Sequence, residues 1–113
     1  KFSMTYETVS KGISRNITTR QNVPVSACNE TLGDLILDRR LYYIDVKKDM
    51  PESLCKFYAL EDGTKSMYKW AIYDLEKRAL GYLQVDFVSK KKNLSDADIQ
   101  DLEMSAIKIA GYL

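Results

Sequence analysis

Apolar and polar residues alternate with a period of two at the start of the chain. Phe2, Met4 and Tyr6 are separated by polar residues, and a second alternating run follows Gly12. This period is typical of strands with one buried face, because successive side chains of a strand point to opposite sides of the sheet. The pattern predicts strands over residues 2–9 and 12–19.

Three more strands are predicted further along the chain. Residues 41–46 are rich in aromatic and β-branched side chains, and the apolar runs 66–73 and 79–88 flank a short polar connection. Two such runs around a polar connection indicate a hairpin. We therefore expect 66–73 and 79–88 to be neighbours in an antiparallel sheet.

Helical spacing of apolar residues marks the remaining segments. It predicts a short helix over residues 29–38 and a second one that begins near Pro51. Ser95 and Asp98 form a capping-box-like pair at the start of a longer, terminal helix. Lys108 near its end suits the negative pole of the helix dipole, so this helix is the best specified element of the chain.

The terminal helix carries an apolar stripe whose members are three or four residues apart, as in a heptad repeat. The stripe contains Ile99, Leu102, Ala106, Ile109 and Leu113. One interpretation is an amphipathic helix packed on the sheet. The other adds a parallel helix from a second subunit, in which case these five residues form a homodimer interface.

Size and composition indicate one folded domain, since the chain has 113 residues of which 45% are apolar and 29% charged. A formal net charge of +1 gives no reason to expect nucleic-acid binding, and we interpret Lys90–Lys92 as a solvated loop. No apolar run is long enough to span a membrane, so we expect no membrane contact by this domain. Because the sequence enters a strand at once, we expect residues 1–113 to be a fragment of a longer protein.

The chain has no histidine and two cysteines, Cys28 and Cys55. Without histidine it lacks the usual activator of a nucleophile and the commonest zinc ligand, so we predict no catalytic residue, metal or cofactor. Two cysteines are too few for a disulfide scaffold and fit a reducing compartment, which favours a cytoplasmic location. Cys28 lies on an apolar helical stripe, and we expect it to be a small core residue and not half of a redox pair.

The order of the elements and three sequence segments resemble a GAF domain. The segments are "LGDLILDRRLYYIDVKKDM", "KRALGYLQVDF" and "NLSDADIQDLEMSAIKIAGYL". The resemblance implies an α+β fold with a central antiparallel sheet of about five to six strands. In such a fold the C-terminal helix covers one face of the sheet, and loops and short helices cover the other. Residues 1–113 would then be a single domain that lacks the family's N-terminal helix.

The same resemblance implies a non-catalytic sensory or regulatory domain that binds a small molecule and signals through terminal helices to an output domain in the parent chain. In cyclic-nucleotide-binding members an Asp at the place of Asp45 contacts the ligand. The alternative is that Asp45 caps the loop amides of Lys47 and Lys48. The cyclic-nucleotide motif is degraded here, with Leu94 and Ile99 at two of its positions, so that ligand is not expected. A bilin is not expected either, because the bilin cysteine of the family is usually followed by histidine.

Aromatic and polar residues of the predicted hairpin supply the rest of a candidate ligand site, which we expect between the sheet and residues 45–64. We place Tyr68 and Trp70 of one strand on the same face as Tyr82, Gln84 and Asp86 of the next. The predicted ligand-binding residues are Asp45, Tyr68, Trp70, Tyr82 and Asp86. Two alternatives are that this face is partly solvated, or that the aromatic side chains fill a closed pocket.

Two other functions remain open from the sequence. One is a ligand-free scaffold that dimerises a signalling protein through the terminal helix. The other is an enzyme that resembles the free methionine sulfoxide reductases, which have a GAF fold and use several cysteines in the pocket. Cys28 and Cys55 would have to serve as that thiol pair, within disulfide-bonding distance and with a lowered thiol pKa.

Overall fold

The computed structural model describes Leu35 and residues 39–112. The predicted strands over residues 2–9 and 12–19 lie outside the described residues, as do Cys28 and Leu113. The predicted helix over residues 29–38 is described only at Leu35, which is helical and buried.

The described strands form an antiparallel sheet in the order β1, β2, β3. Strand β1 comprises Arg40–Tyr43, β2 comprises Ser66–Tyr73 and β3 comprises Ala79–Phe87. The antiparallel hairpin predicted from the sequence is confirmed, whereas a sheet of five to six strands remains a prediction. β1 is shorter than the predicted strand 41–46, because the chain turns at Asp45 into a helix.

Three helices complete the described fold: α1 (Val46–Asp49), α2 (Leu54–Glu61) and α3 (Asp96–Ala110). The hydroxyl of Ser53 caps α2 by accepting a hydrogen bond from Lys56 N, and that of Ser95 caps α3 by accepting one from Asp98 N. These bonds satisfy amides that have no partner inside the helix. The predicted terminal helix is therefore confirmed, and α1 is an element that the sequence did not predict.

Strand β2 is buried from Ser66 through Trp70 without interruption. Because successive side chains point to opposite faces, an unbroken buried run means that both faces of the strand are covered. One face packs under α3, where Tyr68, Trp70 and Ile72 form a core with Ala106. The other lies under α1 and α2, where a second core contains Tyr43, Val46, Met50, Ala59 and Met67.

The stripe of α3 packs against the first of these cores. Ile99, Leu102, Ala106 and Ile109 all belong to the cluster around Tyr68. The amphipathic interpretation of the helix therefore accounts for these four side chains within the chain. The homodimer interface stays a prediction, and it would need other residues of α3, such as the exposed Met104 and Ile107, to contact the partner.

Two side chains of β2 anchor the segment that connects β3 to α3. The Tyr68 hydroxyl donates to Lys92 O at 2.6 Å and accepts from Leu94 N at 3.0 Å. The Ser66 hydroxyl donates to Ile44 O and accepts from Lys92 N at 2.8 Å. The start of α3 is thus fixed to the central strand by the hydroxyl groups of two residues on the same face of β2.

Replacing Tyr68 with Phe should destabilise the fold by about 1–3 kcal/mol, because Lys92 O and Leu94 N lose their partner in a buried setting. Urea unfolding followed by circular dichroism measures this change. Tyr112→Phe removes a hydroxyl from a side chain that is 90% exposed and serves as the matched control. Equal stabilities of the two variants would contradict the anchoring role of Tyr68.

Candidate functional site

The predicted ligand-binding residues do not share one face of the sheet, so that part of the prediction is wrong. Tyr68 is paired with Val85 and Trp70 with Leu83, whereas Tyr82 is paired with Ala71. Directly paired residues lie on the same face. Tyr68 and Trp70 therefore lie under α3, and Tyr82 and Asp86 lie on the opposite side.

A β-bulge at the start of β3 explains the error. Tyr73 is paired with Ala79 but Ile72 with Gly81, so Leu80 is an extra residue in β3. A single inserted residue moves every later side chain of the strand to the other face. Without it Trp70 would be paired with Tyr82, as the sequence analysis assumed.

The face that α1 and α2 cover, which we call the α1–α2 face, is the polar one. Besides the apolar side chains near α1 and α2, it carries four residues that can bind or orient a polar molecule. These are Lys69, Tyr82, Gln84 and Asp86. Lys69 is paired with Gln84, and Tyr82 and Asp86 are its diagonal neighbours on β3.

Lys69 is the unusual member of this group, since its side chain is only 4% exposed. Its Nζ lies 5.0 Å from the centroid of the Tyr82 ring, and within the described ranges it forms neither an ion pair nor a hydrogen bond. Burial lowers the pKa of Lys69 to about 8, although the nearby Asp86 carboxylate acts in the opposite direction. A charged ammonium at this position is costly unless an anion reaches it.

Two neighbours of Lys69 are oriented by their own contacts. Gln84 Nε2 donates to both carboxylate oxygens of Asp86, at 2.9 and 3.0 Å. Burial, together with the Asp86 charge, raises the pKa of the Tyr82 phenol. Tyr82 thus stays neutral at ordinary pH, and its ring face is available to a cation.

Asp45 lies where β1 ends and α1 begins, as the N-cap of that helix. One of its oxygens accepts from Lys48 N at 3.3 Å, and the other forms an ion pair of 3.2 Å with Lys91. The Lys91 ammonium is the main cause that holds the pKa of Asp45 below its usual value. The capping alternative is therefore observed for Lys48, and a ligand contact by Asp45 stays a prediction.

Trp70 and its neighbours on the α3 side form a chain of hydrogen bonds between β2 and α3. Trp70 Nε1 donates to the Tyr42 hydroxyl at 3.1 Å, and that hydroxyl donates to Glu103 Oε1 at 3.3 Å. Arg40 also donates to Glu103 Oε1, at 2.9 Å, and lowers the pKa of that carboxyl. Trp70 is therefore placed to respond to movements of α3 rather than to touch a molecule on the α1–α2 face.

Cys55 corrects a second expectation, because it is disulfide-bonded. The chain has one other cysteine, Cys28, which lies outside the described residues. Because a disulfide bond does not by itself show redox activity, the expectation that the two cysteines are not a redox pair stays a prediction. A disulfide at Cys55 has no signal in the local spacing of the sequence. The disulfide also removes the argument that the small number of cysteines indicates a reducing compartment.

Two further features can be checked over Leu35 and residues 39–112. Within that part of the chain no group of three acidic, cysteine or histidine side chains could hold a metal ion. Nor is any helix there long and apolar enough to cross a membrane.

Comparison with known proteins gives structural neighbours only; no protein-family model and no curated protein sequence matches the chain. One neighbour is GAF3 from Slr1393 of Synechocystis sp. PCC6803 in its photoproduct state. It has a TM-score of 0.74 and 14% identity over 93% of this chain and 68% of the other. The chain has a GAF-like fold.

Two further neighbours share this GAF-like fold. A far-red absorbing dark-state structure with bound biliverdin IXa has a TM-score of 0.71 and 19% identity, over 96% of this chain and 69% of the other. A domain assigned to a two-component sensor histidine kinase of Sinorhizobium meliloti 1021 has a TM-score of 0.58 and 12% identity, over 65% of this chain. The match spans only 49% of that domain's own length.

Replacing Lys69 with Met should stabilise the protein at pH 7 by about 1–4 kcal/mol, because it removes a buried charge and keeps the length of the side chain. The gain should shrink as the pH rises. Below pH 8 Lys69 is charged in both the folded and the unfolded chain, and the folded state bears the full cost. Between about 8 and the ordinary value of 10.5 the unfolded chain binds more protons, so the stability of the wild type increases relative to the variant.

Urea unfolding at pH 7, 8.5 and 10 measures this difference for each protein, and subtraction removes the titration of shared groups that lie away from Lys69. Lys90→Met, at an exposed lysine, is the matched control and should show no such trend. A gain for Lys69→Met that is the same at all three pH values would contradict a buried, titrating Lys69.

Proposed function

We propose that this chain is a non-catalytic sensory or regulatory domain that binds a small molecule at the α1–α2 face and transmits the event through α3 to an attached output domain. The observation that carries the proposal is the buried residue Lys69 on the α1–α2 face, whose Nζ lies 5.0 Å from the centroid of the Tyr82 ring. Stability alone does not favour a lysine there, since an apolar side chain would avoid the cost of burial.

The neighbours support a sensory role. One of them contains bound biliverdin, and another belongs to a sensor histidine kinase. Their shared fold supports a small-molecule site of this general kind, and their low identity leaves the ligand open. A covalently held bilin is disfavoured for this chain, because Cys55 is disulfide-bonded and is followed by Lys56.

The alternation of β2 provides the route from the site to α3. Lys69 points to the α1–α2 face, whereas its sequence neighbours Tyr68 and Trp70 lie in the core under α3. A ligand that displaces the backbone of Lys69 also displaces these two residues, because all three are consecutive in one strand. Because cores are densely packed, such a shift is passed to the helix that contacts these rings.

For the compartment, the disulfide at Cys55 favours an oxidising environment over the cytoplasmic location expected from the sequence. The alternative of a dimerisation scaffold gains no support from the α3 stripe, whose described members are occupied by the sheet. A disulfide-bonded Cys55 favours the reductase alternative. However, the residue that lies beside Tyr82 and Gln84 on the α1–α2 face is Lys69 and not a cysteine.

A compound that binds the α1–α2 face should raise the melting temperature of the 113-residue chain by roughly 10 °C or more at a hundredfold excess over its Kd. A library of amino acids, organic acids, nucleotides and neutral amides can be screened by thermal unfolding. Trp70 emission should change for the same compounds, and it is a clean reporter because the chain has 1 tryptophan.

Two variants test whether the compounds that raise the melting temperature bind at the α1–α2 face. Tyr82→Leu alters the α1–α2 face and should reduce the thermal shift, whereas Leu75→Ala, at a fully exposed position in the hairpin turn, should leave it unchanged. The sensory proposal fails if no compound in the library shifts the melting temperature, or if Tyr82→Leu and Leu75→Ala respond alike.

A further inference from the structure

The two buried lysines of the described residues differ in how their charge is compensated. Lys56 is 5% exposed, and its Nζ lies 2.7 Å from Glu52 Oε1 in an ion pair. Lys69 is buried to the same degree, but the contact of its Nζ is with the ring face of Tyr82. A ring face compensates a cation much less than a carboxylate does. Lys69 is therefore a hydrogen-bond donor whose charge a bound anion would neutralise.

Asp86 does not supply this anion within the described structure. Its two oxygens accept from Gln84 Nε2, and the residue is exposed. It attracts the Lys69 ammonium over a distance and forms no ion pair with it among the contacts of residues 39–112. An ammonium has three hydrogens to donate. Lys69 Nζ, 5.0 Å from the centroid of the Tyr82 ring, places these donors on the α1–α2 face.

The charges on this face select a singly charged anion. Lys69 supplies one positive charge, and Asp86, its diagonal neighbour, would repel a second negative charge on the ligand. Among the described arginines, Arg40 pairs with Glu103, Arg78 pairs with Asp74, and Arg39 lies over the Tyr73 ring at 5.6 Å. A doubly charged phosphate therefore lacks the cluster of cations that it normally requires.

The surroundings of the ammonium favour an organic molecule over a bare ion. Lys69 is flanked along β2 by Met67 and Ala71, and its partner on β1 is Leu41. Together with the Tyr82 ring these side chains make an apolar wall around one charge. This is the usual composition of a small-molecule site, in which a few polar groups fix the orientation and apolar surface supplies affinity.

We infer that the ligand of the α1–α2 face is a small organic monocarboxylate, whose carboxylate accepts hydrogen bonds from Lys69 Nζ while its apolar part lies against the Tyr82 ring. The inference rests on the proposed sensory function and names the chemical class of its ligand. In this complex the carboxylate neutralises Lys69. Gln84 and Asp86 of β3 lie to one side of it.

Isothermal titration of the 113-residue chain with matched acid and amide pairs tests the inference. The probes are benzoate with benzamide, phenylacetate with phenylacetamide, and isovalerate with isovaleramide, and inorganic sulfate is added as a doubly charged anion. At pH 7 at least one of the three acids should bind saturably, and its amide and sulfate should bind about tenfold more weakly or not at all. Lys69→Met should weaken binding of that acid by about tenfold or more, and Lys90→Met should not.

The titration results distinguish this inference from the sensory proposal. If an amide binds as well as its acid, or if Lys69→Met binds the acid as tightly as the wild type, the carboxylate inference is overturned. The same holds if none of the three acids binds while a neutral compound of the wider library does, and the sensory function then stands. If no compound of either set binds, both fail. Lys69→Met is informative in each case because removing the buried charge does not threaten folding.

Discussion

The burial of β2 on both faces is the constraint on which the rest of the described structure depends. A strand in this position must provide apolar side chains to two cores at once, and Met67 on one side and Tyr68, Trp70 and Ile72 on the other do so. The remaining elements are arranged around it: β1 and β3 pair with its edges, and α3 packs on one face. Even the entry to α3 is fixed by hydroxyl groups of β2. A displacement of β2 therefore alters the packing on both faces of the sheet.

Lys69 does not meet this requirement, because it is a charged residue within the buried run of β2. Lys69 lies on the central strand of the described sheet, and it is only 4% exposed. Burying its ammonium costs free energy, and only a negative group in contact with the ammonium offsets this cost. The ligand-free state is thus held at a higher free energy than the rest of the fold requires. A ligand that removes this penalty gains affinity from it and stabilises one arrangement of β2 over others.

The sequence predicted the elements well where local patterns decide them. The bounds of β2, the hairpin, and the capped start of α3 at Ser95 follow from alternation, polar turns and helix capping. The candidate site was predicted less well, because it depends on the register between β2 and β3. One extra residue, Leu80, exchanges the faces of β3. Its signal in the sequence is weak, since the only local hint is Gly81, the residue next to it.

Lys69 was also available in the sequence, as the charged residue inside the run "SMYKWAIY". An alternating pattern places it on the face opposite Trp70, but a pattern cannot say whether that face is solvated. The answer depends on α1 and α2, and α1 begins only because Asp45 caps it and so ends β1 early. The same short segment therefore sets the length of β1 and contributes Val46 to the cover over the α1–α2 face. Lys69 is a buried charged residue on the same face, and the function that we propose follows from this charge.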